Sequence, residues 1–181
     1  MSGQYRTIVA DPPWTPYDGG MDRLRSTYAS RKGAPQKHYD TMALGQICSL
    51  QVPRAEHLWL WALNRNVDWG YLVARSWGFA VVGMVTWCKP GLGVGRFRTN
   101  TEHVLLCRRG TLPFGQIQGT WFNWPRRRHS EKPAAFYDLV EQVSPGPYLE
   151  LFARRQRLGW DTWGNEALEH VSLAAGKPEP E

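Results

Sequence analysis

Asp11, Pro12, Pro13 and Trp14 follow directly on a short apolar run, Tyr5 to Ala10 (YRTIVA). They bring a carboxylate, a free proline carbonyl and an aromatic face to one point, at the strand end where open α/β sheets bind ligands. Taken alone, Asp-Pro-Pro is turn chemistry, because proline lacks a backbone donor and fixes φ while Asp favours the opening of turns; the rest of the chain has to choose. Other familiar sites fall away. Gly91 to Gly95 (GLGVG) lacks the spacing of a dinucleotide or phosphate loop, and no P-loop lysine follows it, which leaves a flexible turn. The five histidines show no metal-ligand spacing and there is no G-x-S-x-G elbow, so no metal site is expected. Cys48, Cys88 and Cys107 are far apart and form no C-x-x-C pair, which fits small core residues rather than a disulfide or zinc framework.

The elements that must position this motif alternate. Arg6 to Ala10 reads as a buried strand, Met42 to Leu50 as a short helix, and His57 to Trp61 (HLWLW) as a second strand. Val67 to Ser76 reads as a helix that Gly78 can end, followed by strands at Phe79 to Trp87 and His103 to Cys107. Lys132 to Val143 is the strongest helix: Ser130 can cap it, Pro133 suits its first turn, and Phe136, Leu139, Val140 and Val143 share a face. Strands at Tyr148 to Phe152 and Trp160 to Trp163 complete an α/β domain with a mostly parallel sheet. The 181 residues, 42% of them hydrophobic, suit one domain over residues 1–175, with 176–181 (GKPEPE) a disordered tail. No run could span a bilayer and the N-terminus lacks a signal-peptide stretch, so a cytoplasmic protein with no membrane partner is expected.

A formal net charge of +6 favours an anionic partner. Three long segments without periodicity, Thr15 to Asp40, Lys89 to Thr101 and Gly110 to Arg128, carry the basic residues Arg23, Arg25, Arg31, Lys32, Lys37, Arg96, Arg98, Arg126, Arg127 and Arg128. Loops this long in a compact domain are usually functional or mobile. Phe97, Trp121 and Trp124 interleave with two of these clusters, the combination expected where phosphates are contacted and bases stacked. A charge run is more often a solvated face; flanking the motifs below, these runs read together as a nucleic-acid surface.

Eight motifs occur in one order: VADPPW at Val9, YDTM at Tyr39, HLWLWALN at His57, VTWCKPGLG at Val85, TEHVLLCRRG at Thr101, HSEKP at His129, SPGPYLELFARR at Ser144 and WDTWGNE at Trp160. In this the chain, from about Tyr5 to Glu166, resembles the MT-A70 family of S-adenosylmethionine-dependent adenine-N6 methyltransferases. The resemblance implies a Rossmann-like class I methyltransferase fold, helices on both faces of the sheet, with the catalytic strand ahead of the cofactor strand as in a circular permutation. It assigns catalysis to Asp11, Pro12, Pro13 and Trp14, with Asp11 and the Pro12 carbonyl accepting the amino hydrogens of adenine and Trp14 and Tyr39 packing on the base. Substrate contacts are expected from Asn64, Arg96, Arg98, Arg126, Arg127 and Arg128. For the cofactor, S-adenosylmethionine, it implies Asp11, Lys132 at the methionine carboxylate, and Glu150, Arg154, Asn165 and Glu166 at the ribose and its surroundings. Read from the residues alone, Lys132 is a surface lysine, Arg154 an exposed ion pair and Gly164-Asn165 a turn.

The chemistry fits independently. The exocyclic nitrogen of adenine is a poor nucleophile because its lone pair is delocalised into the ring. An enzyme must hold the amino group with acceptors and align it with the methyl sulfonium, so orientation and electrostatic preorganisation carry the rate. A target inside a duplex must first be flipped out. Compact members of the family are typically bacterial or phage DNA modifiers, which makes DNA the expected substrate, with RNA as the alternative. A family member that keeps the fold only to bind nucleic acid is the non-enzyme alternative. A homo-oligomer or a partner subunit is left open by the sequence.

Overall fold

The computed structural model describes residues 5–15, 41–91, 93, 98–125 and 131–164. Its strands are β1 (Thr7–Ala10), β2 (His57–Leu63), β3 (Ala80–Cys88), β4 (Thr101–Arg108), β5 (Trp121–Phe122), β6 (Tyr148–Leu151) and β7 (Trp160–Trp163). Its α-helices are α1 (Leu44–Cys48), α2 (Val67–Ser76) and α3 (Ala134–Val143). The strands form one sheet in the order β5-β3-β4-β2-β1-β6-β7. Pairing is parallel between β1 and β2, β1 and β6, β6 and β7, and β3 and β5, and antiparallel where β4 meets β2 and β3. Thus β4 alone runs against the others, and the sheet is mixed but mostly parallel, as expected.

The short apolar runs dictate this arrangement. All four residues of β1 are buried, as are the first six of β2, the signature of strands covered on both faces. Alternation divides them. Ile8, Ala10, Leu58, Leu60, Leu105, Cys107, Leu149 and Leu151 pack with Ile47 of α1 and Val73 and Ala74 of α2. Val9, Trp59, Trp61, Val104 and Leu106 pack with Phe136, Val140 and Val143 of α3. Helices therefore lie on both faces. Cys107 is a buried core thiol, and Cys48 and Cys88 are half-buried and free.

The expected elements have boundaries within two residues of those read from the sequence, and two differences have a clear cause. Pro133, extended at φ −61° and ψ 141°, stands at the N-cap of α3, so Lys132 lies outside the helix; Ser130, the expected cap, is outside the described residues. Strand β5 has only two residues, too few for any periodicity, and forms because its backbone lies alongside Thr86 and Trp87 of β3. At the other end of α2, Gly78 adopts φ 78° and closes the helix as the sequence predicts. No helix among the described residues is long and apolar enough to cross a membrane.

This topology fixes the site. From β1 the chain moves outward to β2 and beyond, then returns through α3 on the opposite face to place β6 on the other side of β1. The strand order thus reverses at β1, and the crevice outside the carboxyl ends of β1 and β6 is where such sheets bind ligands.

Candidate active site

The prolines after Asp11 end β1 and turn their carbonyls to local use. Pro12 O accepts the Trp14 N–H at 2.8 Å and Pro13 O accepts the Met42 N–H at 2.9 Å. A carbonyl has two lone pairs, so Pro12 O retains one acceptor position. The Trp14 indole N–H donates to Trp61 O at 3.2 Å, and its ring lies 6.4 Å from that of Trp69 on α2. The turn is therefore pinned to the end of β2. Trp14 packs against the α1/α2 core, whereas the Asp11 carboxylate faces the α3 side through its contact with Lys132.

Lys132 organises a charge cluster there. Its ammonium lies 3.0 Å from Asp11 Oδ1 and 3.0 Å from Glu102 Oε2, and 4.6 Å from the centre of the Trp61 ring. Lys89 contacts the other oxygen of Glu102. Burial pulls the Lys132 ammonium toward neutrality, but Asp11 and Glu102 outweigh it and hold its pKa above the ordinary lysine value. Burial likewise pushes Glu102 up, and Lys132 and Lys89 outweigh that, leaving it below the usual carboxylate value.

Glu150, on β6 beside Val9, completes the cluster. Tyr137 of α3 donates its hydroxyl to Glu150 Oε1 at 2.6 Å. Burial first, and then the Asp11 charge, push Glu150 up to about 7, against the lowering effects of the Tyr137 hydrogen bond, Arg157 and Lys132. Burial and the Glu150 carboxylate raise Tyr137 well above its ordinary value. The Arg157 guanidinium covers the Tyr137 ring at 4.1 Å.

The remaining predicted residues are distributed differently. Arg154 follows β6, half-buried, where Ala153 N–H donates to Trp163 O at 3.0 Å. The two strand ends approach so closely that a Cβ on Gly164 would lie 2.5 Å from Ala153 N, which explains the glycine in WGNE. Asn64 ends β2, and its amide is engaged within the fold: Nδ2 donates to Thr101 O and Oγ1, both at 2.8 Å, and Oδ1 accepts from His103 Nε2 at 2.9 Å. Arg98 is exposed, with φ 41°. Trp121 is 63% exposed, whereas Trp124 stacks on Phe122 at 4.4 Å and packs against the α3 core. Tyr39, Arg96, Arg126, Arg127, Arg128, Asn165 and Glu166 lie outside the described residues, as do Arg23, Arg25, Arg31, Lys32, Lys37 and Phe97.

The structure thus brings Asp11, Lys132 and Glu150 together and adds Glu102, Lys89, Tyr137 and Trp61, which sequence reasoning did not single out. One signal was available for Glu102. It shares a strand face with Val104 and Leu106, and an acid on an otherwise buried apolar face needs a partner.

Comparisons with known proteins bear on what this cluster does. The MT-A70 family model matches residues 5–166. The type II methyltransferase M.MunI from Mycoplasma sp is 31% identical over 182 residues, spanning 90% of this chain and 78% of its own length. The N(6)-adenine-specific methyltransferase METTL4 from Homo sapiens is 48% identical over 197 residues, spanning 92% of this chain. The human N(6)-adenosine-methyltransferase catalytic subunit METTL3 is 27% identical over 182 residues. The chain covers 39% of the length of the first human protein and 28% of the second.

Proposed function

The chain belongs to the MT-A70 family, and from that premise we propose that it transfers a methyl group from S-adenosylmethionine to the exocyclic N6 of adenine in DNA. The observation that carries the reading is the Asp11 carboxylate of Asp-Pro-Pro-Trp, 3.0 Å from the Lys132 ammonium at the carboxyl end of the strand where the sheet order reverses.

The residues fit the cofactor. Asp11 and Glu102 face the ammoniums of Lys132 and Lys89, and Glu150, raised to about 7, stands beside them, so a sulfonium would enter a cluster whose cations are already paired with carboxylates. Lys132 has three ammonium protons, of which two carboxylates take two, leaving one for the methionine carboxylate. Bound there, S-adenosylmethionine would supply an electrophilic methyl group. Glu150, Arg154, Asn165 and Glu166 are assigned to the ribose and its surroundings, where a carboxylate can accept hydroxyl hydrogens.

Asp11 keeps one carboxylate oxygen free of Lys132 and Pro12 O keeps one lone pair; together they accept the two amino hydrogens of adenine and draw electron density back onto N6. Transfer of the methyl group would make one N6 proton acidic, and of the two acceptors the Asp11 carboxylate would be the base that receives it while Pro12 O keeps the amino group oriented. Trp14, fixed through its indole N–H, and Tyr39 flank the base, and Pro13 holds the turn against Met42. Arg96, Arg98, Arg126, Arg127 and Arg128 are assigned to the phosphates; Asn64, also expected at the substrate, has its amide engaged with Thr101 and His103 and would act by holding β4 against the end of β2.

The test is mass-spectrometric quantification of N6-methyladenine after incubating the protein and S-adenosylmethionine with matched unmethylated DNA and RNA. Methylation of DNA that Asp11→Ala abolishes is the expected result. Methylation of RNA alone would replace DNA by RNA as the substrate, and methylation of neither would overturn the proposal.

A further inference from the structure

Glu102 touches neither the proposed base position nor the strand end that carries Asp11, yet it is buried at a cost in solvation that two ammonium groups offset. Its Oε2 lies 3.0 Å from Lys132 and its Oε1 contacts Lys89. Lys89 is itself held: its ammonium lies 4.9 Å from the centre of the Trp87 ring and its backbone N–H donates to Asn100 O at 2.7 Å. We infer that Glu102 is a positioning residue for methyl transfer: braced by Lys89, it holds the Lys132 ammonium beside Asp11 and over Trp61, so that its third proton is offered to the anion of the cofactor.

The physical case is one of freedom removed. A lysine ends in a flexible four-carbon stem, and a single carboxylate leaves it several ways to form the same contact. With Asp11 alone, the ammonium could turn two protons to the catalytic carboxylate and occupy the oxygen that adenine needs. Glu102 draws the ammonium to the other side, and the Trp61 ring closes a third direction. Among the described residues, the charged and titratable groups that face Lys132 are Asp11 from the end of β1, Glu102 from β4 and Glu150 from β6, with Lys89 behind Glu102 at the end of β3. Removing the Glu102 charge lowers the affinity of Lys132 for its proton and releases its position together.

This inference rests on the assignment of Lys132 to the cofactor. The test is calorimetric titration of the full chain with S-adenosylhomocysteine, from neutral to alkaline pH, using wild type, Glu102→Gln, Glu102→Asp, Lys89→Met and the double variant Glu102→Gln/Lys89→Met. Thermal unfolding of each checks the fold. Glu102→Gln is expected to weaken binding by about tenfold or more, the size of one charge-assisted hydrogen bond, and to move the alkaline loss of binding to lower pH. Glu102→Asp should recover part of both. Lys89→Met should act in the same direction by less, and should add nothing in the Glu102→Gln background, because Lys89 works through Glu102. Wild-type affinity with an unmoved alkaline limb in Glu102→Gln, or full additivity of the two substitutions, would overturn the inference. Should Glu102→Gln fail to fold, an unmoved alkaline limb in Lys89→Met overturns it. Failure of the wild-type chain to bind at all would overturn the cofactor assignment itself, and this inference with it.

Discussion

Replacing Lys132 by Met tests whether the site is organised by charge. The side chains of Lys132, Asp11 and Glu102 are 11%, 18% and 12% exposed, so solvent screens their interactions little. Methionine keeps most of the stem volume and removes the ammonium, leaving two carboxylates that each lie 3.0 Å from it without their shared partner. Breaking a buried pair in this way costs about 3–5 kcal/mol. Lys89 still neutralises Glu102, so the burden falls chiefly on Asp11 and the lower figure, about 3 kcal/mol, is expected. With a urea m-value of about 2 kcal/mol/M, the unfolding midpoint should drop by about 1.5 M near neutral pH. The pH dependence gives the sharper criterion. In the wild type, Glu102 is held below its unfolded value of 4.5, so its contribution is present above that value and lost as pH falls through the folded one. Lys132, held above 10.5, contributes below that value and loses its contribution as pH rises through the folded one. In Lys132→Met the carboxylates instead gain protons more readily, so the deficit should be largest near neutral pH and shrink on acidification. Equilibrium urea unfolding of both proteins across a pH series measures this. A deficit below about 1 kcal/mol, or one of constant size from neutral to acidic pH, would refute the charge argument and leave Lys132 as a packing residue.

Three further outcomes follow from the same geometry. Asp11→Ala should reduce methyl transfer by about a hundredfold or more, the scale of losing a preorganised charge partner, while circular dichroism shows the fold intact; retained activity would remove Asp11 from the mechanism. Glu150, pushed up to about 7 from 4.5, is protonated in the fold where the unfolded chain is ionised, so its contribution is lost as pH rises between those values. Glu150→Gln should therefore gain stability relative to wild type from pH 5 to pH 8, on the order of 2–3 kcal/mol by urea unfolding, and a flat difference would show that burial does not govern this carboxyl. Ser144 Oγ accepts the Trp59 indole N–H at 2.9 Å and donates to His57 Nδ1 at 3.0 Å, while His57 Nε2 donates to Leu112 O at 3.0 Å. Ser144→Ala leaves two buried groups without that partner and should cost about 1–3 kcal/mol by the same method; a change under about half a kcal/mol would mean that water replaces the hydroxyl.

The sequence carried the fold where periodicity and buried runs were long. Val67 to Ser76 and Trp160 to Trp163 form the elements expected, residue for residue. Strand β5 was illegible because pairing with β3, a contact between residues 35 positions apart in the Thr86 to Trp121 register, creates it rather than its own two residues. The start of α3 was misread for a related reason: Ser130 is good capping chemistry, but Pro133 sets the extended backbone that begins the helix, and Lys132 is drawn into ion pairs instead of a helical turn. At the site, motif order singled out Asp11, Lys132 and Glu150, since each lies within a motif that carries the family resemblance. It did not single out Glu102, whose importance depends on which side of β4 faces Lys132, or Lys89, which matters only through Glu102.

The two prolines make that division of labour possible. A residue with an N–H at position 12 or 13 could continue the parallel ladder with β6 or β2 and carry Asp11 into the sheet interior. Prolines stop the ladder one residue after Ala10, so Asp11 emerges on the α3 face among Lys132, Glu102 and Glu150, while Trp14 falls on the α1/α2 face, where its indole N–H reaches Trp61 O. The Asp-Pro-Pro backbone thus holds the Asp11 carboxylate and the Trp14 ring in a fixed relation at the end of β1. Because Pro12 O and Pro13 O are already anchored to Trp14 N–H and Met42 N–H, that backbone resists the displacement a bound base would impose. Rigidity at this point matters more than additional polar contacts would, since alignment of a weak nucleophile with its methyl group is lost with small errors of position.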